Sequence, residues 1–131
     1  PHSVVALPNG NVLLFDNGNH RPSEEGGEYS RGIELALDMD NMTVRKVWEY
    51  RLPGGLFAAC CSNVTRLENG NTLVMFGSEF VPEGERSFPL VEADPRGGAI
   101  WVVAHESLGK PNQYRVYPAY SIMGEAPVFA Q

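Results

Sequence analysis

The sequence predicts an all-β fold made of β-propeller blades. Three observations carry this prediction. Short apolar runs alternate with turn residues, no long stretch has apolar residues at helical spacing, and one plan of four strands occurs twice. Identical Asn-Gly-Asn turns stand at residues 9–11 and 69–71, and an apolar run follows each of them. We therefore expect about two four-stranded antiparallel blades plus a closing strand; two stacked hairpin sheets of a sandwich would give similar strands.

The first blade is predicted over residues 1–51. Two apolar runs flank the turn residues Pro-Asn-Gly-Asn, which is a hairpin pattern, and two further strands follow after a turn-rich connection. The polar residues 16–21 follow a strand end, and the acidic, glycine-rich residues 22–28 are expected to form a connector or lid. The four strands are predicted at residues 4–7, 12–15, 32–38 and 43–50.

The second blade is predicted over residues 57–104, where residues 67–71 repeat the plan of residues 7–11. Its later strands are expected at residues 72–76, 90–93 and 99–104, and a Trp falls in the fourth strand of both blades. Residues 105–131 are expected to hold a closing strand, at 114–117, and a tail. Because closed propellers have about 4 to 8 blades, the chain should be completed by remaining blades of a longer chain or by neighbouring copies.

Composition and charge exclude some classes of function. The chain has 131 residues, of which 43% are hydrophobic and 20% charged, and its net charge is -6. This length and this composition are typical of a single domain. The 10 Lys and Arg residues are scattered, which argues against a nucleic-acid partner. No apolar run approaches the roughly 20 residues of a membrane span. The chain begins at Pro1, so we treat it as a fragment.

The two cysteines, Cys60 and Cys61, are adjacent. They are expected to pack as small buried residues, since free Cys behaves like a small hydrophobe. No further Cys or His lies near them at ligand spacing, so neither a metal nor a cofactor is expected. The redox compartment stays open on this evidence. Asn-X-Thr triplets at 41–43 and 63–65 are weak indications of secretion, and a periplasmic or extracellular location is expected.

Several motifs occur in the order in which they stand in one family of enzymes. They are His2, residues 7–11, 15–18, Arg21, 29–31, 47–50, 67–73 and the late Tyr114-Arg115. Together they resemble the arylsulfotransferase family. The resemblance implies a six-bladed propeller that moves a sulfuryl group from a phenolic sulfate ester to another phenol through a sulfated histidine. Such a site is lined by histidines and an arginine.

The resemblance implies two site residues in this chain. His2 matches the family histidine before the Leu-Pro-Asn-Gly turn, and Arg21 matches the arginine after Phe-Asp-Asn-Gly. A guanidinium fork suits a sulfate because it donates two hydrogen bonds, and an imidazole titrates near neutral pH. The family's nucleophilic histidine follows a Phe-Gly-Gly-Ser-like stretch. The matching residues 76–80 read Phe-Gly-Ser-Glu-Phe, without a histidine.

Each candidate also has a structural interpretation. Arg21 would instead pair with Glu24, Glu25 or Asp16 on the surface, and His2 would belong to a frayed terminus. Asp16 is expected to cap its own turn. Three further expectations complete the set: an exposed His20, a surface His105 at a strand end, and repulsion of an anionic substrate by Glu79 if it faces the site.

Two functions from different classes therefore remain. The first is an aryl-sulfate sulfotransferase, or its C-terminal portion, with His2 and Arg21 in the site. The second is a propeller without catalysis that serves as a binding or structural module. The retained His2 and Arg21 favour the first, and the missing histidine at residues 76–80 favours the second. The fold alone does not decide between them.

Overall fold

The computed structural model describes residues 1–77, 87–106 and 113–119. Within these ranges the fold is all-β, as predicted, with eight strands and one short 3-10 helix at Ser23–Glu25. The strands form two four-stranded antiparallel sheets, and each sheet runs as a simple meander in chain order. The two sheets are consistent with propeller blades.

The strand bounds agree closely with the predicted ones in the first sheet. Both hairpins are present, and the second pair of strands is longer by a residue at most. The strands are β1 His2–Ala6, β2 Val12–Asp16, β3 Arg31–Asp38 and β4 Thr43–Tyr50 in the first sheet, then β5 Asn63–Arg66, β6 Thr72–Met75, β7 Ser87–Ala93 and β8 Ala99–Glu106 in the second.

The repeated Asn-Gly-Asn turns have the same structure in both sheets. In the first, the Leu7 amide donates to Asn11 O, the Asn11 amide donates to Asn9 Oδ1, and Gly10 has a φ of +82°. Such a positive φ suits glycine because it lacks a Cβ. The turn of the second sheet repeats these contacts at Leu67, Asn69, Gly70 and Asn71.

A carboxylate on the third strand of each sheet anchors this turn. Asn9 and Asn11 donate their side-chain amides to Glu34 on β3, and Asn69 and Asn71 donate theirs to Glu92 on β7. The repeat therefore includes an acidic partner for the turn, which the sequence comparison of the turns alone did not reveal.

One apolar core lies between the two sheets. Phe15 and Phe76 meet in an edge-to-face contact with their ring centroids 5.3 Å apart, a geometry that aromatic pairs prefer. The other buried members come from both sheets and from the connection between them: Leu13, Trp48, Tyr50, Ala58, Val64, Val74, Val91 and Ala93. The two sheets therefore share this core.

The two sheets are in close contact at both ends of the strand order. A Cβ on Gly32 of β3 would lie 3.0 Å from a methyl group of Val64 on β5, so a larger residue at this position would require Val64 to shift. The Trp48 indole on β4 donates to Asp94 O, in the turn that follows β7. The first strand of the second sheet, β5, therefore packs against β1, β2 and β3 of the first sheet, and β4 contacts the turn after β7.

The predicted strand at 114–117 is wrong. Residues 113–119 form no strand, because the Val116 backbone bonds to a side chain instead of a sheet edge. Asn63 Nδ2 donates to Val116 O at 2.9 Å, and the Val116 amide donates to Asn63 Oδ1 at 3.0 Å. One amide side chain thus replaces the partner strand, and the nearby Pro118 limits any ladder.

Candidate functional site

His2 is the first residue of β1. It lies opposite Phe15, ahead of a β-bulge in which Ser3 has a φ of +54°. Its Nδ1 forms a 2.7 Å hydrogen bond with Asn17 Oδ1. His2 is only partly exposed, so a frayed end does not describe it.

The hydrogen bonds of Asn17 fix the tautomer of His2. Asn17 Nδ2 donates to Ala58 O at 2.8 Å, so the amide oxygen is the atom that faces the imidazole. An amide oxygen only accepts hydrogen bonds, and Nδ1 must therefore carry the proton. In the neutral imidazole, Nε2 then keeps its lone pair. It has no hydrogen bond to any other residue that the structure describes.

Asn17 is itself held by a buried network. Ser30 is 0% exposed, and its hydroxyl donates to Asn17 O at 2.7 Å. The same hydroxyl accepts the Ala58 amide at 2.8 Å. The end of β2, the start of β3 and the inter-sheet connection therefore meet at one point. Sequence reasoning missed Asn17 and Ser30, although both stand inside the quoted motifs at 15–18 and 29–31.

Arg21 lies inside the fold, and two of its five N–H donors form hydrogen bonds within it. Its guanidinium donates to Asp16 Oδ2 and to Tyr29 O, each at 2.7 Å, and stacks 3.7 Å from the centroid of the Tyr29 ring. Its side chain is only 7% exposed. Of the three acidic partners considered, Asp16 is the one that pairs, and the pair is largely buried instead of lying on the surface.

Arg21 belongs to a cluster of charged groups around Tyr29. Arg31 pairs with Asp16 at 2.9 Å and with Glu49 at 3.4 Å, and Arg51 stands over the ring at 4.4 Å. Burial lowers the pKa of Arg31, but the bond to Asp16 and the charge of Glu49 outweigh it, so that pKa is raised. Arg51 is exposed and makes no ion pair with the described carboxylates.

His2 and Arg21 are positioned by adjacent residues, Asn17 and Asp16. No hydrogen bond joins the two candidates directly within the described residues. Asp16 also accepts the Gly18 amide at 3.1 Å, so its predicted role as a turn cap is confirmed. It is in addition the carboxylate that Arg21 and Arg31 share.

The other candidates are placed as follows. His20 is exposed, as predicted, and its backbone amide donates to Glu28 at 3.2 Å. His105 pairs with Phe88 near the end of β8, and its side chain lies outside the described set. Ser78, Glu79 and Phe80 also lie outside the described residues. Of the cysteines, Cys61 is buried as expected, whereas Cys60 is partly exposed.

The second sheet has an amide at the position of His2. By distance from the Asn-Gly-Asn turn, the residue that matches His2 is Ser62. The bulge in β1 adds one residue, however, so the ladder pairs His2 with Phe15 and Asn63 with Met75. Asn63 is therefore the structural counterpart of His2, and it holds Val116. Counting residues in the sequence could not reveal this shift.

Within the described part of the chain, no group of three or more His, Cys, Asp or Glu side chains could hold a metal. No helix in these ranges is long and apolar enough to cross a membrane. Two concave surfaces lie at the β3–β4 turn and at residues 52–57 with Pro89. Neither surface contains His2 or Arg21.

Comparison with known proteins gives one family. A family model described as arylsulfotransferase (ASST) matches residues 1–117, which is most of the chain. No individual curated protein matches it significantly. The match covers both sheets, the His2–Asn17 contact and the Arg21 cluster. The chain belongs to the arylsulfotransferase family.

Proposed function

We propose that this chain supplies part of the site of an aryl-sulfate sulfotransferase, which moves a sulfuryl group from a phenolic sulfate ester to a phenol. The observation that supports this proposal best is the bond between His2 Nδ1 and Asn17 Oδ1. It leaves Nε2 of a neutral imidazole as the nitrogen with a lone pair. An imidazole held in one tautomer by a neighbouring side chain suits proton transfer near neutral pH.

The proposed reaction is a single displacement. His2 Nε2 takes the hydroxyl proton of the acceptor phenol, and the phenol oxygen forms a bond to sulfur. The bond from sulfur to the donor oxygen breaks, and the donor leaves as a phenolate that receives the proton from the imidazolium. This route needs no sulfated histidine, which fits residues 76–80, where the family's nucleophilic histidine has no counterpart.

Arg21 has a different role in this proposal from the one that the family resemblance implied. Two of its N–H donors are used by Asp16 and Tyr29 O, and its side chain is buried, so we assign it the role of a positioning residue. It holds residues 16–29 in place, and that segment carries Asn17. The sulfate oxygens would then need other donors, for example backbone amides or groups in further blades.

A second candidate function is a binding or structural module without catalysis. The engaged guanidinium of Arg21 and the absence of a histidine from residues 76–80 favour it. Such a module would bind an aryl sulfate, or serve assembly, without releasing a phenol. Remaining blades of a longer chain or neighbouring copies complete the propeller in both proposals, and a periplasmic or extracellular location belongs to both.

The test is phenol release by the full-length protein that contains this chain. With a coloured phenyl sulfate as donor and a phenol as acceptor, we expect turnover in the parent and a loss of about 100-fold or more in kcat for His2→Gln, the usual worth of a general base. His20→Asn is the matched control, because Asn tolerates the positive φ of +62° at this exposed position. It should retain full activity.

Two results would count against the enzyme. Absence of phenol release from the parent, together with calorimetric binding of the aryl sulfate, would favour the binding module. Equal turnover in the parent and in His2→Gln would remove His2 from the chemistry. Either result leaves the family and the fold unchanged.

A further inference from the structure

The adjacent cysteines have an arrangement that neither the fold nor the proposed function uses. Cys60 Sγ and Cys61 Sγ lie 2.9 Å apart, and both cysteines are free thiols. In an extended chain, neighbouring side chains point to opposite faces. Here the backbone turns, since Cys61 has a φ of +61° and Ser62 one of +75°. The left-handed conformation of Cys61 departs from the extended arrangement, and the two sulfur atoms lie on the same side.

The backbone on both sides of the pair is fixed by side chains. Asn17 donates to Ala58 O at 2.8 Å, and Asn19 donates to Ala59 O at 2.9 Å, just before the pair. After the pair, the Ser62 hydroxyl accepts the Gly77 amide at 2.9 Å. The two thiols are therefore held together before any reaction, which reduces the ordering cost of joining them.

The two thiols differ in their surroundings. Cys60 is partly exposed, and Cys61 is buried at 9% exposure. Burial and the hydrogen bond with Cys60 raise the pKa of Cys61 to about 11. Cys61 is thus protonated at neutral pH, and Cys60 is the thiol that a reagent in solution meets first.

We propose that Cys60 and Cys61 form a reversible redox site, in which a small-molecule disulfide such as oxidised glutathione joins them to each other. The Cys60 thiolate attacks one sulfur of the reagent, which releases one thiol and leaves a mixed disulfide on Cys60. Cys61 then loses its proton and attacks the Cys60 sulfur, which releases the second thiol. The protein loses two electrons and two protons, and the reagent is reduced to two thiols.

The disulfide between Cys60 and Cys61 should be easy to reduce. Disulfides usually join residues whose Cα atoms are about 4.4 to 6.8 Å apart, whereas neighbouring Cα atoms are only about 3.8 Å apart. Strain of this type makes a disulfide easier to reduce, and exposed or strained disulfides tend to be regulatory instead of structural. The pair lies next to Ala58 and Ala59, whose carbonyls Asn17 and Asn19 contact.

The test uses the full chain in glutathione buffers of graded redox potential, followed by alkylation and mass spectrometry. We expect the parent to pass from two alkylated thiols to none, with the loss of two hydrogens and a peptide that links Cys60 to Cys61. Cys60→Ser and Cys61→Ser each keep one thiol, so they should gain glutathione or one alkyl group and never lose two hydrogens.

Three results would overturn the proposal: glutathione on Cys60 with an alkylated Cys61, two alkylated thiols in the most oxidising buffer, or a peptide that joins cysteines of two chains. A further variant tests the tether. Asn19→Ala removes one hydrogen bond to Ala59 O, and the equilibrium constant for ring closure should fall about fivefold. An unchanged constant would contradict a fixed backbone as the reason why the sulfur atoms meet.

Discussion

Glu34 connects the two sheets at the scale of a single residue. Its carboxylate accepts Asn9 and Asn11 from its own sheet and pairs at 2.5 Å with Arg66 from the other. Burial would raise its pKa, but the bonds from Asn11 and Asn9 and the charge of Arg66 outweigh burial, so the pKa is lowered below its ordinary value of 4.5. The ionised form is therefore the stabilising one.

The prediction for Glu34 is a pH-dependent loss of stability. At pH 7, Glu34→Gln should lower the free energy of unfolding by about 2 kcal/mol, since hydrogen bonds to charged groups contribute about 1.5 to 3 kcal/mol. Because the folded pKa is depressed, this contribution is complete above pH 4.5 and disappears as the pH falls through the folded pKa. Urea unfolding of the parent and of Glu34→Gln at a series of pH values from 7 downward measures this loss and its pH dependence.

Glu92→Gln is the matched control for Glu34→Gln. Glu92 accepts the equivalent amides, Asn69 and Asn71, but it pairs with the Trp101 indole in place of an arginine. Glu92→Gln should therefore lower the free energy of unfolding at pH 7 by less than Glu34→Gln does. An equal loss in both variants, or a loss for Glu34→Gln that does not shrink as the pH falls, would contradict the role assigned to the Arg66 pair.

Sequence reasoning at the residue scale found which side chains belong near the site but not what they contact. Motif position selected His2 and Arg21, and both are ordered by the polar segment after β2. The contacts of Arg21 depend on how residues 22–29 fold back, because this segment brings Tyr29 against the guanidinium. The spacing of residues along the sequence does not predict how this segment folds back. The role of Asn17 likewise depends on Ala58, 41 residues away.

The loop between β2 and β3 is the element on which the proposed site depends. It contains Gly18, which has a φ of +78°. A Cβ at this position would come 2.1 Å from Tyr29 O and 2.9 Å from a guanidinium nitrogen of Arg21. Contacts under 3.0 Å force a neighbour to move, and in this loop the neighbour is backbone.

Gly18→Ala should therefore cost more than Gly10→Ala. Both glycines have a positive φ, +78° and +82°, but a Cβ on Gly10 would meet nothing within 4 Å. Gly10→Ala should lower the free energy of unfolding by about 1 kcal/mol, the cost of the left-handed conformation alone. Gly18→Ala should cost about 1 to 3 kcal/mol more, because overpacking adds to it. Urea denaturation measures the difference, and equal losses would contradict the close packing around Tyr29.

At the scale of elements, the sequence predicted strands better than it predicted the tail. Alternating apolar residues and Asn-Gly turns predict strands β1 to β4 from local sequence. Because the same pattern repeats, it also predicts strands β5 to β8. The tail has apolar and aromatic residues at 114–117, but residues 113–119 do not pair with a strand. Asn63 supplies its hydrogen bonds instead, and that contact spans 53 residues.

The two-sheet unit leaves many apolar side chains exposed. On β8, Ile100, Trp101, Val102 and Val103 are 38% to 57% exposed, and on β1, Val4 and Val5 are 62% and 44% exposed. β8 is the last strand of its sheet. Edge strands with exposed apolar residues tend to pair with other chains. The whole-molecule expectation is therefore that further blades or further copies cover these strands.

This expectation predicts that the 131-residue chain associates with itself when it is prepared alone. Sedimentation velocity over a range of concentrations should show species larger than one chain. Val102→Lys on β8 should shift the distribution toward the single chain, because charges on edge strands oppose pairing. Ser23→Lys, in the exposed 3-10 helix, is the control and should change nothing. A parent that remains a single chain at all concentrations would contradict the prediction.

The most direct test of the proposed function is a nitrogen-15 NMR titration of the His2 imidazole with an aryl sulfate and a phenol. The proposal predicts a neutral ring with the proton on Nδ1. It also predicts that the Nε2 signal moves on titration, while Nδ1 and the ring of His20 change little. A proton on Nε2 in the free protein, or a His2 signal that stays unchanged while phenol is released, would contradict the proposed role of His2.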